Sequence, residues 1–210
     1  VLTEVRGPVS NRDNLEQQLA QAVRDAYYLA RGSITASLRR ALQSASDQLY
    51  RHNHQVNAGE KIVAGVVAMA VRNDDAFVAQ IGPAALFAVL GDHIRRYPTK
   101  SAWLDEALGP GQDGVEPALG LKNLVEPNLH HLRINPDDML ILADSRLAGQ
   151  LPLNDVLKSI TVGNVKATVK SLGKTAQAND CSALVLSVTE AGQSTFDTLK
   201  RSAPPQLNRL

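Results

Sequence analysis

The sequence predicts an α+β layered fold, antiparallel strands packed against helices, and three observations carry that expectation. Two amphipathic helical patterns stand side by side near the start, a run of Val- and Ala-rich strands with turn residues between them follows, and a second pair of helices precedes one last apolar strand. Helices segregated from runs of strands are the mark of such layers, and there is no strand–helix–strand alternation to build a dinucleotide-binding sheet. At about 1.4 times the usual single-domain size, the chain reads as one domain over residues 1–190 followed by a linker-like tail over 191–210 that contains Ser202-Ala203-Pro204-Pro205.

Leu15, Leu19, Ala22, Val23, Ala26 and Ala30 recur at helical spacing, with Ser10, Asn11 and Asp13 as candidate caps and Gly32 as a stop. Behind Ser33, the residues Ile34, Leu38, Ala41, Leu42, Ala45 and Leu49 repeat the pattern until the polar stretch 51–54, which is expected to end the second helix. Strands are expected over 61–71, 76–81, 84–90 and 93–97. Asn73-Asp74-Asp75, Gly82-Pro83 and Gly91-Asp92 punctuate them at hairpin spacing, so they read as one antiparallel meander. A short helix over 102–108 and an irregular Gly/Pro segment to about 126 come next. Strands over 130–134 and 139–143 are joined by the Asn135-Pro136-Asp137-Asp138 turn. Helices return over 154–160 and 164–178, and residues 182–188 are apolar at almost every position, as a strand buried on both faces would be.

Charge and cysteine content narrow the function. Lys and Arg number 22 against 21 Asp and Glu, a net charge of +1 that argues against a chain built to coat nucleic acid or an anionic membrane. Aromatic residues make up only 4%, too few for stacking platforms under single-stranded nucleic acid. The single cysteine, Cys181, excludes an internal disulfide and a cysteine-type zinc site, and suits a reducing, cytoplasmic setting. No apolar run approaches the roughly 20 residues of a membrane span. The first stretch lacks the features of a signal peptide, and with Val1 at its head the chain reads as part of a larger protein.

Few motifs carry chemistry. Gly109 to Gly114 spell G-x-G-x-x-G, but they follow a helix-like segment and precede Val-Glu-Pro, so the segment reads as a plain loop. His52, His54, His130 and His131 read as solvated side chains, since a metal site needs three or four convergent ligands. Asp74-Asp75 and Asp137-Asp138 read as turn formers. Asp144 and Asp180 differ, because each borders a buried apolar strand where carboxylates hold hard cations.

Several strings, in order, resemble the PPM-type (type 2C) metal-dependent serine/threonine protein phosphatases. Residues 65–71 (GVVAMAV) look like that family's Gly-Thr-Thr strand, and 78–87 (VAQIGPAALF) like its Val-Gly-Asp-Ser-Arg-x-Tyr strand. Residues 138–147 (DMLILADSRL) are similar to Asp-x-Leu-Leu-Leu-x-Ser-Asp-Gly-Leu, and 179–186 (NDCSALVL) to the closing Asp-Asn-x-Thr-Val-Val-Val strand. The resemblance implies a β-sandwich of antiparallel sheets flanked by helices, α/β/β/α, in which aspartates hold two Mg²⁺ or Mn²⁺ ions that activate a water. The departures fall on that centre. Pro83 and Ala85 stand at the aspartate and arginine of the second string, Ser145 and Arg146 at the Asp-Gly of the third, and Cys181 at the asparagine of the fourth. Of the later ligands only Asp180 survives, and Asp144 lies one residue early, on the opposite face of a regular strand. The early arginine, Asn-Glu-Asp and Asp-Gly motifs have no counterpart in residues 1–32.

The resemblance therefore implies a pseudophosphatase, a signalling or regulatory module that binds a protein partner, phosphorylated or not, and needs no cofactor. Arg146 is the natural anion contact at such a site. The alternative is a Mg²⁺- or Mn²⁺-dependent phosphatase with re-sited ligands, Asp144, Asp180 and one of Asp137 or Asp138. A third reading makes the domain an assembly element whose outer helices pair with a partner.

Overall fold

A computed structural model describes residues 1–104, 117–176 and 181–190. Its elements in chain order are β1 (Leu2–Arg6), α1 (Arg12–Leu29), α2 (Ile34–Gln55), β2 (Val63–Arg72), β3 (Asp75–Ile81), β4 (Ala84–Leu90), β5 (His93–Tyr97), β6 (Asn128–Arg133), β7 (Met139–Asp144), α3 (Ser145–Gln150), α4 (Leu153–Ser159), α5 (Val165–Ala176) and β8 (Ala183–Ser187). The strands form two antiparallel sheets, ordered β1-β2-β3-β6 and β5-β4-β7-β8. The helix expected over 102–108, the G-x-G-x-x-G segment, Asp180 and the tail over 191–210 fall wholly or largely outside the described residues.

Strand alternation sorts the side chains into three cores. Val5, Ala64, Val66, Ala68, Ala79 and Ile81 face outward from the first sheet, under Leu19, Val23, Leu38 and Leu42 of α1 and α2. Leu2, Val67, Ala76, Val78 and Leu132 face inward, against Ala84, Leu86, Leu140 and Leu142 of the second sheet. The alternate residues Ala85, Phe87, Ile141 and Ala143 face outward again, under Leu147, Val156 and Leu172 of the later helices. Helix, sheet, sheet, helix is the expected layering, and strands covered on both faces explain the near-continuous apolar runs of β2 to β4.

The single meander is corrected. β2 pairs with β3 and β4 with β5, but β3 and β4 lie in different sheets. Gly82, at φ +68°, and Pro83 carry the chain across. The buried Gln80 amide holds the crossing, donating from Nε2 to the carbonyls of Gly82 and Ala84 at 2.9 Å each while its Oε1 accepts from Asn128. A second crossing separates β6 from β7, where Asp137 has φ +73° and Asp138 caps the turn by accepting from the backbone N–H of Asn135 at 2.7 Å and of Gly91 at 2.8 Å. Apolar runs with both faces covered carry no mark of which neighbour they pair with.

Other expectations shift for local reasons. Asn11 and Ser33 do cap α1 and α2, accepting from the N–H of Asn14 and Ala36. The polar stretch 51–54 continues α2, because Asn53 is buried and binds the backbone of Ile62 and Gly120. β8 is an end strand in which Leu184 and Leu186 are exposed, not a strand covered on both faces. Two elements, β1 and α3, are short and were not anticipated.

One side chain gives the fold a pH dependence. His130 on β6 lies half-buried beside the Tyr97 ring, 4.6 Å between centroids, and its Nε2 has no partner among the described residues. Burial pulls its pKa below the ordinary 6.5. The unfolded chain therefore takes up a proton that the folded one resists, so this contribution to stability is present above about pH 6.5 and lost as pH falls below it. Urea midpoints are expected to drop between pH 7.5 and pH 5.5, both about a unit from that value, and His130→Gln is expected to flatten the drop.

Candidate functional site

The site lies at the end of the sandwich where β1 crosses β7 and α3. Alternation along β1 puts Leu2, Glu4 and Arg6 on its inner face and Thr3 and Val5 on its outer one. Two charged residues on the inner face need partners, and they find them in each other and in the start of α3. Glu4, only 3% exposed, accepts through Oε1 from the Ser145 hydroxyl at 2.7 Å and from Arg6 Nε at 3.0 Å. Its Oε2 accepts from the Ser145 backbone N–H at 2.6 Å. Arg6 Nη2 donates to Ser145 Oγ at 2.5 Å, and the guanidinium lies 5.4 Å from the centre of the Trp103 ring.

Asp144 sits beside this triangle with both oxygens engaged. Oδ1 accepts from the Leu147 N–H at 2.8 Å, which makes Asp144 the N-cap of α3, and Oδ2 accepts from the Ser182 N–H at 2.8 Å. Arg146 Nη2 stands 3.5 Å from the same Oδ2. Burial pushes the Asp144 carboxyl above its ordinary value; the two N–H groups and Arg146 pull the other way, while the Glu4 charge adds to the rise. Glu16 of α1 closes the group by accepting from the Val5 N–H at 2.9 Å, and its pKa is raised mainly by burial, against that hydrogen bond and the charges of Arg12 and Arg146.

The other anticipated positions are spread around this end. Pro83 is buried at the sheet crossing against Gly65, where a Cβ would stand 2.6 Å from the Pro83 nitrogen. Ala85 pairs with Ala143 and faces the outer helices rather than the inter-sheet space. Cys181 is half-buried against that same outer core. The alternation argument for Asp144 is overtaken by the helix that begins at Ser145: the side chain is directed by capping, not by strand parity. The histidines do not converge. His54 meets the Tyr50 carbonyl, whereas His131 binds Asp75 at 2.8 Å and stacks on Phe77. Glu4, Arg6 and Glu16 were missed; the signal that could have found them is a charged pair at i and i+2 between apolar neighbours before the first helix.

The described residues do not fit a two-cation centre. No three His, Cys, Asp or Glu side chains among them converge as ligands. Glu4 is held by Ser145 and Arg6, both oxygens of Asp144 accept backbone N–H groups, and a guanidinium touches Ser145, the position the resemblance assigns to an aspartate.

Two stacked antiparallel sheets with helices on both outer faces are the fold of the PPM-type serine/threonine phosphatases. The catalytic domain of PstP in complex with two manganese ions superposes with TM-score 0.69 at 15% identity, over 87% of this chain and 84% of that one. Stp1 of Staphylococcus aureus gives 0.69 at 16% identity, over 90% and 82%. PppA, described as a key regulatory component of the T6SS in Pseudomonas aeruginosa, gives 0.65 at 16% identity, over 87% and 82%. No protein-family model and no curated protein sequence matches the chain.

Proposed function

We propose that residues 1–190 form one PPM-type domain that has given up catalysis and serves as a protein-binding or regulatory module in signalling, in the cytoplasm. The observation that supports this reading is the Glu4–Arg6–Ser145 triangle, in which a guanidinium and a neutral hydroxyl engage the buried Glu4 carboxylate, whereas two-metal hydrolysis needs free carboxylates. Pro83 fits it, since an apolar residue at the buried crossing avoids burying a carboxylate without a compensating ion. A phosphorylated protein partner suits the same end of the sandwich, because Arg6 and Arg146 keep 40% and 32% of their side chains exposed there.

The test is hydrolysis of an aryl phosphate by the full chain with and without Mn²⁺, beside Asp180→Ala. Equal background rates are expected. Mn²⁺-dependent turnover lost in Asp180→Ala would instead establish the alternative, a phosphatase with re-sited ligands.

A further inference from the structure

We propose that the outer edge of β5 takes an extended acidic peptide, which pairs with β5 as an added strand of the second sheet. β5 is the end strand of that sheet, paired with β4 on one side and, among the described residues, with no strand on the other. A hollow of about 470 Å³ runs along this open side, between β5 and the connection from α3 to α4. Ile94, Arg95 and Arg96 line it in succession, although side chains alternate across a strand, so the hollow follows the edge of the sheet and not one face of it. Its floor is apolar: Leu104 and Leu151 belong to the core under the later helices, Ile94 packs against that core, and Leu153 at the start of α4 stays 39% exposed.

Charge decides what the edge accepts. Residues 93–100 carry Arg95, Arg96 and Lys100 and no carboxylate. The acids on either side are taken, Asp92 by His93 at 3.4 Å and Asp155 of α4 by Lys158 at 3.2 Å. Arg95 is exposed and has neither a hydrogen bond nor an ion pair among the described residues. The Arg96 head is kept at the edge by the carbonyls of Pro98 and Thr99, at 3.2 and 3.1 Å. Ile94 packs on the outer core and Tyr97 on the inner one, so strand parity puts Arg95 on the inner face. A strand of alternating acidic and apolar residues therefore sets its apolar side chains in the hollow and its carboxylates beside Arg95. Its backbone supplies the ladder that the edge lacks. Charges on an edge also repel a second copy of the same strand, which leaves an acidic segment as the fitting occupant.

The inference goes beyond the proposed function: no residue of the Glu4–Arg6–Ser145 triangle lines the hollow, and capture of the peptide is read without phosphate or Mn²⁺. The probe is a short fluorescein-labelled peptide of alternating Glu and Leu, titrated by anisotropy against the full chain at low salt. Saturable binding is expected, with a Kd below about 1 mM, weakened several-fold by added NaCl. Arg95→Glu is expected to weaken it about tenfold, and Leu153→Asp, at a helix start that accepts an acid, by a similar factor. Both positions are exposed, so both variants should melt with the unsubstituted chain. The same peptide with its edge-facing amides N-methylated cannot donate to β5 and is expected not to bind, a control that needs no variant. No saturation at millimolar peptide, equal binding of an alternating Lys and Leu peptide, indifference to Arg95→Glu, or undiminished binding of the N-methylated peptide would overturn the inference. So would tighter capture of a single-stranded oligonucleotide than of the peptide. Mn²⁺-dependent turnover of a phosphate ester would overturn the proposed function instead, so the two failures are distinguishable.

Discussion

Glu4→Ala is expected to lower stability by about 3 kcal/mol, a fall of roughly 6–12 °C in melting temperature for a domain of this size. Three donors lose their acceptor at once. The Arg6 head can turn toward solvent, since 40% of its side chain is already exposed, but the Ser145 backbone N–H is enclosed at the start of α3 and keeps its desolvation penalty. A cavity adds to the loss, because only 3% of Glu4 is exposed. Glu4→Gln keeps the shape and one acceptor oxygen, so about half the effect is expected from it. Urea melts of both variants check the ranking. Equal stability of the unsubstituted chain and Glu4→Ala would mean that the triangle does not tie β1 to α3.

Gly65→Ala is expected to cost as much or more, for a steric reason. Gly65 lies opposite Glu4 in the β1–β2 register, directly under the sheet crossing. A Cβ there would stand 2.6 Å from the Pro83 nitrogen, 2.7 Å from its carbonyl carbon and 2.8 Å from its Cδ. Two of these atoms are backbone in a segment that changes sheets, so the crossing itself would have to move. Overpacking of this kind costs about 3 kcal/mol, at the upper end of its usual range. Gly59→Ala is the control, with nothing within 4 Å of its Cβ, and is expected to stay within about 0.5 kcal/mol. Denaturant midpoints of the two variants, measured side by side, decide the matter.

Legibility followed the range of the forces involved. β4 and β5 stand where the hairpin spacing put them, and Ser33 caps α2 as its position before an apolar repeat suggests, because caps and turns are local chemistry. Pairing was harder to read. β3 and β4 are each apolar on both faces, so alternation could not say that Gly82-Pro83 separates two sheets rather than joining two neighbours. β1 was passed over because Thr3, Glu4 and Arg6 interrupt its apolar residues; Glu4 is polar for Ser145, a partner 141 residues away, which no local pattern announces. Ser145 and Arg146 were singled out by the resemblance alone, as departures from it. That Asp144 caps a helix needed α3, a single short element just past the expected strand, where no helix was expected.

The most direct measurement is release of phosphate from a phosphoserine peptide by the full chain in the presence of Mn²⁺, compared with Asp180→Ala. The proposed loss of catalysis predicts the same background release from both proteins. Release that needs Mn²⁺, saturates with peptide and disappears in Asp180→Ala would contradict the account.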